Sequence, residues 1–171
     1  MERSPAGDGI APTTLDMLPG RVASLLATCR FGVLATSSGG SPHLSLVAIA
    51  TTDDGWTIVF ATDRATRKFA HLRDNPRAAI LVDNREELKA RLDPGVALTA
   101  TGPVVEVQVE DRPRLERILL NRHPYLADFV SGETCALIAL SVEEYRVVSG
   151  ISDVRSIRPP GFDPMTQGRD E

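Results

Sequence analysis

Nine residues near the middle of the chain, Phe60-Ala61-Thr62-Asp63-Arg64-Ala65-Thr66-Arg67-Lys68, combine side chains that could grip an anion. An apolar run ends at Ala61 and a helical pattern starts at Asp63, so the segment reads as a strand entering a helix. The unpaired N–H groups of a helix start carry partial positive charge, which makes cations there locally unfavourable. Arg64, Arg67 and Lys68 nevertheless fall in the first turn or so, beside the hydroxyls of Thr62 and Thr66. A phosphate would satisfy all of these groups together: backbone donors, two hydroxyls, an arginine fork and a lysine point charge. Taken alone, the same residues also read as a solvated basic helix face.

The other reactive residue types supply no chemistry of their own. There is no Ser-His-Asp set, no pair of catalytic carboxylates and no metal-ligand cluster, so catalytic residues are not assigned and no metal is expected. That pattern fits a site whose reactive atoms belong to a cofactor. His43 starts a strand and could hydrogen-bond a ring edge or ligate haem iron, or be an ordinary satisfied residue. His71 reads as solvated helix face, Arg122 and His123 as cations capping a helix end, and Trp56 as packing after a turn. Cys29 and Cys135 lie far apart in apolar surroundings, outside any C-x-x-C pair. They read as buried reduced thiols, which excludes a disulfide scaffold and a zinc finger.

These residues sit in a chain of 171, with net charge −4, 42% hydrophobic and 25% charged residues, the profile of one globular domain. From Ala61 to Arg77 five cations (Arg64, Arg67, Lys68, Arg73, Arg77) meet only Asp63 and Asp74, a basic island in an otherwise acidic chain. Such an island suits one small anion better than a nucleic acid, and no nucleic-acid partner is expected. No apolar run approaches the ~18 residues of a membrane span. Residues 1–12 are rich in Gly, Pro and Ser and lack the apolar core of a secretory signal. A cytoplasmic protein without membrane association is the expectation.

The elements that must position the basic island follow from periodicity. Residues 1–16 read as a disordered arm, 17–150 as the domain and 151–171 as a tail. Pro19 opens a helix with Val22, Leu25, Leu26 and Cys29 on one face. Phe31 to Thr36, His43 to Thr52 and Trp56 to Ala61 then read as a three-strand meander, turning at Ser37–Gly40 and Asp53–Gly55. Asp63 is the expected N-cap of a helix reaching Asn75, ended by Asn75-Pro76. Arg77 to Asp83 reads as a buried strand, and 84–94 as a charged connection. Gly95 to Val109 follows as a long strand with a bulge or bend at Gly102-Pro103. Asp111 to Arg122 and Pro124 to Val130 read as helices, and Thr134 to Val148 as a last strand. Strands such as Leu44 to Ala50 are apolar in both directions, so their second face needs cover from helices or another subunit. A mainly β (α+β) barrel with helical caps is the expectation.

Several of these segments together resemble the flavin-binding split β-barrel superfamily that includes pyridoxamine phosphate oxidase. Gly40-Ser41-Pro42-His43-Leu44-Ser45-Leu46-Val47 is similar to its G-x-P turn and second strand. Thr62 followed by Thr66-Arg67-Lys68 is similar to its phosphate loop. Leu72 to Ala78 matches its L-x-x-N-P-x-A helix end, and Leu98 to Gly102 resembles a later strand. The resemblance implies a six-stranded antiparallel split β-barrel with peripheral helices. It implies that Thr66, Arg67 and Lys68 hold the phosphate of FMN, with Ala61, Thr62 and Asp63 beside the phosphate and ribityl chain. The backbone of Ser45, Leu46 and Val47 would contact the flavin ring. It further implies a homodimer with the cofactor at the subunit interface, acting as an FMN-dependent oxidoreductase or flavin reductase on a small molecule. Relatives of this barrel also bind or degrade haem, or carry a flavin or deazaflavin without turnover. The chain departs from the oxidase itself: Ser45 and Ala50 stand where that enzyme has Arg and Lys, Ala97 stands near its Gln, and Gly161–Glu171 is not basic.

Overall fold

Gly39 and Gly40 both take positive φ, 53° and 78°, which gives a two-residue turn matched to the twist of an antiparallel hairpin. That turn joins β1 (Phe31–Ser38) to β2 (Ser41–Ala48), paired in register from Phe31 opposite Ala48 to Ser38 opposite Ser41. The computed structural model describes residues 18–84, 95–149 and 153–162. The arm expected at 1–16 and most of the connection at 84–94 lie outside the described residues.

The strand expected from His43 to Thr52 is interrupted at Ile49, so β2 is followed by a short β3 (Ala50–Thr51). β3 pairs β4 (Thr57–Asp63), whereas β2 does not, so the three-strand meander is two hairpins instead. β5 (Arg77–Asp83), β6 (Val96–Glu106) and β7 (Cys135–Ser141) complete an antiparallel path in the order β2-β1-β5-β6-β7-β4-β3. Because β2 runs straight into β3 through Ile49, the chain itself joins the two ends of this path and the sheet curls on itself. The last expected strand breaks at Val142-Glu143 into β7 and β8 (Glu144–Ser149), and β9 (Asp153–Ile157) pairs β8. The sheet therefore has nine strands, not six, and it continues past residue 150 into the expected tail.

β6 pairs β5 along one edge and serves two further neighbours along the other, and its middle is the tightest point of the fold. Val96 to Thr101 pairs β8, while Val104 to Glu106 pairs β7. At the switch, a Cβ on Gly102 would overlap the carbonyl oxygen of Ser141 and stand 2.9 Å from its carbon. Only glycine lets the two backbones cross there. The bend expected at Gly102-Pro103 is thus a partner switch.

The barrel interior is apolar, with Leu34, Phe60, Ile80, Leu98 and Ile138 at 2% exposure or less. α1 (Gly20–Thr28) closes it with Leu25 and Leu26, and α2 (Arg67–Asp74) with Phe69 and Leu72. β7 is buried on both faces from Cys135 to Leu140. Its Leu137 and Ala139 lie under α3 (Arg112–Arg122) and α4 (Ala127–Val130), a second core built around Leu115, Leu119 and Val130. Both thiols fit the sequence reading in part: Cys135 is buried, while Cys29 is half-buried with its thiol 3.4 Å from the Asp83 carbonyl.

Arg122 and His123 do more than cap their own helix. Arg122 donates to the carbonyls of Ala27 and Cys29 at the end of α1, and its own carbonyl accepts from Arg30. His123 is fully buried, with Nε2 2.9 Å from the Ile49 carbonyl and Nδ1 3.1 Å from the Tyr125 hydroxyl. A carbonyl can only accept, so Nε2 carries the proton and Tyr125 donates to Nδ1. Burial holds this imidazole below its ordinary range, and the charges of Arg30 and Arg122 add to that effect. The folded state therefore binds fewer protons than the unfolded chain, and stability rises with pH through the window just below the free value near 6.5. Denaturant midpoints are expected to fall as pH drops from about 7.5 to about 5.5. A His123→Gln variant should lose part of that slope. An equal slope in both proteins would rule out His123 as its source.

Candidate functional site

Two open edges of the sheet meet. β2 pairs β1 on one side only. β4 pairs β7 along its full length but meets β3 only at Ile58 and Val59, so its other edge is open from Phe60 to Asp63 among the described residues. α2 begins where that open edge of β4 ends, which places the basic island at the mouth of the split.

The corner from β4 into α2 is built differently from the sequence expectation. Thr66, not Asp63, is the N-cap: its backbone is extended and its hydroxyl accepts from the Phe69 N–H at 3.4 Å. Asp63 closes the preceding turn instead, accepting from the Ala65 N–H at 2.7 Å and from the Thr134 hydroxyl at 2.7 Å. The Thr134 hydroxyl and the Ala65 N–H hold its carboxyl below the usual range, so it is a fixed anion that shapes the corner. Thr62 is buried, 3.0 Å hydroxyl to hydroxyl from Thr66, and Ala61 packs against the α3 side of the sheet. Arg64 turns away from the helix start to Glu106 and to the carbonyls of Glu133 and Cys135, so it takes no part in an anion seat.

What remains is a smaller and cleaner cluster. Arg67 is exposed and Lys68 half-buried, and among the described residues neither side chain has an ion-pair or hydrogen-bond partner. Their backbone N–H groups belong to the first turn of α2 and have no intrahelical acceptor. Two unpartnered cations on a turn with free N–H donors make this helix start a candidate seat for a phosphate-sized anion.

Two imidazoles flank that seat, one of them, His71, on a helix face expected from the sequence to be solvated. His43 on β2 and His71 on α2 lie with ring centroids 5.6 Å apart, edge to face. His43 Nε2 is 3.2 Å from the Ser45 hydroxyl, and His71 Nδ1 is 3.4 Å from the Thr36 hydroxyl. Burial lowers the His43 pKa, and the neighbouring charges of Arg67, His71 and Lys68 lower it further. The sequence signal for His71 was its i+4 spacing from Arg67, which puts both on one side of α2.

The expected ring-contacting segment divides by face. Ser45 is half-buried toward the His43 side, Val47 is 6% exposed in the core, and Leu46 points outward at 70% exposure. With Leu44 at 65%, Leu46 leads an apolar band that crosses to Val33 and Leu81 in register on β1 and β5. A cavity of about 370 Å³ opens on the same outer side, lined by Ser37, Pro42, Asn75, Arg77 and Thr101 among others, and it contains none of the expected site residues. So the structure brings Thr66, Arg67, Lys68 and the β2 edge to one cleft, and assigns Asp63, Thr62 and Ala61 to its walls and support.

Residues 18–148 match the family model described as pyridoxamine 5'-phosphate oxidase. The chain belongs to the pyridoxamine 5'-phosphate oxidase family. No curated protein sequence matches it. Among solved structures it is similar to a haem-binding protein from Mycobacterium smegmatis, with TM-score 0.73 and 17% identity, covering 87% of this chain and 59% of that one. It therefore spans little more than half the length of that relative. It is also similar to HutZ, the haem storage protein of Vibrio cholerae (TM-score 0.64, 16% identity, 75% of this chain and 92% of that one). General Stress Protein 26 of Bacillus anthracis is a third neighbour (TM-score 0.57, 17% identity, 81% and 95%). At these identities the likeness is one of fold, and it bears out the split β-barrel expected from the sequence. Two of these neighbours are described by the haem they bind or store, but a shared fold does not carry a cofactor across, so the cofactor must be argued from this chain's own residues.

Proposed function

We propose that this chain binds FMN and serves as a cytoplasmic oxidoreductase of the flavin-reductase type, acting on a small molecule. The observation that carries the reading is the pair of unpartnered cations, Arg67 and Lys68, on the first turn of α2 beside the open edge of β2. A phosphate monoester carries close to two charges near neutral pH and presents several acceptor oxygens, which matches two cations and a set of free N–H donors. Alternate residues of Ser45 to Val47 turn their N–H and C=O groups away from β1 to the open edge, and those groups suit the hydrogen-bonding rim of a flavin ring. Bound FMN would supply hydride and electron transfer. The chain's part is to neutralise the phosphate with Arg67 and Lys68, to orient the ring along β2, and to keep water away. The last task needs more than one copy. The exposed Leu44, Leu46 and Leu81 band supports a homodimer whose second barrel covers the cleft, and burying each such leucine contributes roughly 2 kcal/mol.

Haem binding is the second reading, favoured by what two of the structural neighbours bind and by two imidazoles in the same cleft. The visible spectrum of protein purified from cells separates the two. Flavin bands, with quenching of FMN fluorescence on titration into stripped protein, are the expected result. A Soret band without flavin, or no FMN quenching at all, would overturn the proposal.

A further inference from the structure

The two imidazoles at the cleft suggest how the seat handles the charge it receives. His43 and His71 come from different elements and meet edge to face, each spending one nitrogen on a hydroxyl, Ser45 for His43 and Thr36 for His71. Among the described residues His43 Nδ1 and His71 Nε2 have no hydrogen-bond partner. Arg67 and Lys68 lie close enough for their charge to bear on His43. The other charged groups on the surrounding elements are few. α2 also carries Arg73 and Asp74, β4 ends in Asp63, and β1 and β2 have no charged side chain besides His43 itself. Asp74 accepts from Ser38, and Asp63 accepts from Thr134 and the Ala65 N–H, so both carboxylates are engaged elsewhere. By themselves, the two cations oppose a third charge on the imidazole pair. A dianion seated on Arg67 and Lys68 reverses the sign of that local field.

We propose that the His43–His71 pair takes up one proton when a dianionic phosphate monoester binds, so that this seat selects a monoester over a singly charged phosphodiester. The inference rests on the phosphate seat of the proposed function and adds its proton and its ligand class. The chemistry is a proton transferred from solvent to an imidazole nitrogen, with no other bond made or broken. Affinity for a monoester then rises as pH falls toward neutrality, until the ligand's own second ionisation near pH 6 offsets the gain.

The chain has only three histidines, and the third, His123, is buried away from the cleft as an internal reference. Imidazole C–H resonances can therefore be titrated individually by NMR, without ligand, with FMN and with riboflavin. FMN is expected to move the titration midpoint of at least one cleft histidine upward while riboflavin leaves both in place and His123 stays fixed in all three. Between about pH 8 and about pH 6.5, FMN affinity should tighten about three- to tenfold, and the His43→Gln/His71→Gln double variant should lose that dependence. If FMN perturbs the backbone signals of Thr66 to Lys68 but neither cleft imidazole, the proton uptake is wrong and the phosphate seat stands. If riboflavin acts as FMN does, or FMN perturbs nothing, the phosphate seat itself fails.

Discussion

Arg67→Ala combined with Lys68→Ala is expected to weaken FMN binding by about 10²- to 10⁴-fold while leaving the protein folded. The magnitude follows from two charge-assisted contacts to a phosphate, each about 1.5–3 kcal/mol, at 1.4 kcal/mol per tenfold. The fold should survive because neither side chain has an ion pair or hydrogen bond among the described residues, and surface changes of that kind usually stay within about 0.5 kcal/mol. FMN fluorescence titration measures the loss, and thermal unfolding measures the stability. Riboflavin supplies the control, since without a phosphate it should bind the double variant and the parent alike. An FMN affinity unchanged in the double variant would remove the phosphate from this end of the cleft. Arg64→Ala should behave in the opposite way: it breaks contacts to Glu106, Glu133 and Cys135 and so costs stability first.

Gly102→Ala is expected to be the most damaging single methyl group in the molecule, costing about 3 kcal/mol or more and with it most of the soluble yield. Two backbones cross at that point, and the atom in the way is the Ser141 carbonyl oxygen, which cannot rotate aside as a side chain could. Relief would require β6 to leave either β7 or β8, and β6 is what joins the two halves of the sheet. Gly20→Ala is the matched control. It lies at the start of α1 with nothing within 4 Å of its added Cβ, so it should be neutral or stabilising by a few tenths to about 1 kcal/mol. Urea midpoints for the two variants decide the matter. A Gly102→Ala protein as stable as Gly20→Ala would mean that the crossing is looser than described.

What could be read from the chain and what could not divide along the range of the interactions. The Gly39-Gly40 turn and the helix carrying Phe69 and Leu72 are local signals, and both appear in the structure, whereas Gly102-Pro103 marks a special point of β6 that proves to be a change of partner. The Thr66-Arg67-Lys68 triplet is legible as a basic helix start because all three residues are adjacent in the chain. Asp63 and Thr66 are both good N-caps, and nothing nearby decides between them. The decision comes from Thr134, seventy-one positions away, which occupies Asp63 and leaves Thr66 to the helix. Arg64 was misplaced for the same reason, its partners being 42 to 71 residues downstream. The split of Thr134 to Val148 into β7 and β8 follows from two neighbours competing along β6, which periodicity cannot express. His71 was set aside because an exposed helical histidine is ordinary. Only its meeting with His43 across two elements makes it part of the cleft.

The distant fastening of the β4–α2 corner has a consequence for how the protein is made. During synthesis the Thr66-Arg67-Lys68 triplet leaves the ribosome early, and its helix can form soon afterwards. The residues that hold the corner in shape, Glu133, Thr134 and Cys135, follow about seventy residues later, at roughly 10 residues per second. For several seconds the nascent chain displays the basic triplet without the cleft that gives it meaning. The fastened corner is thereby deferred until β7 has emerged and docked along β4, so the phosphate seat proposed above takes its shape only in a nearly finished chain.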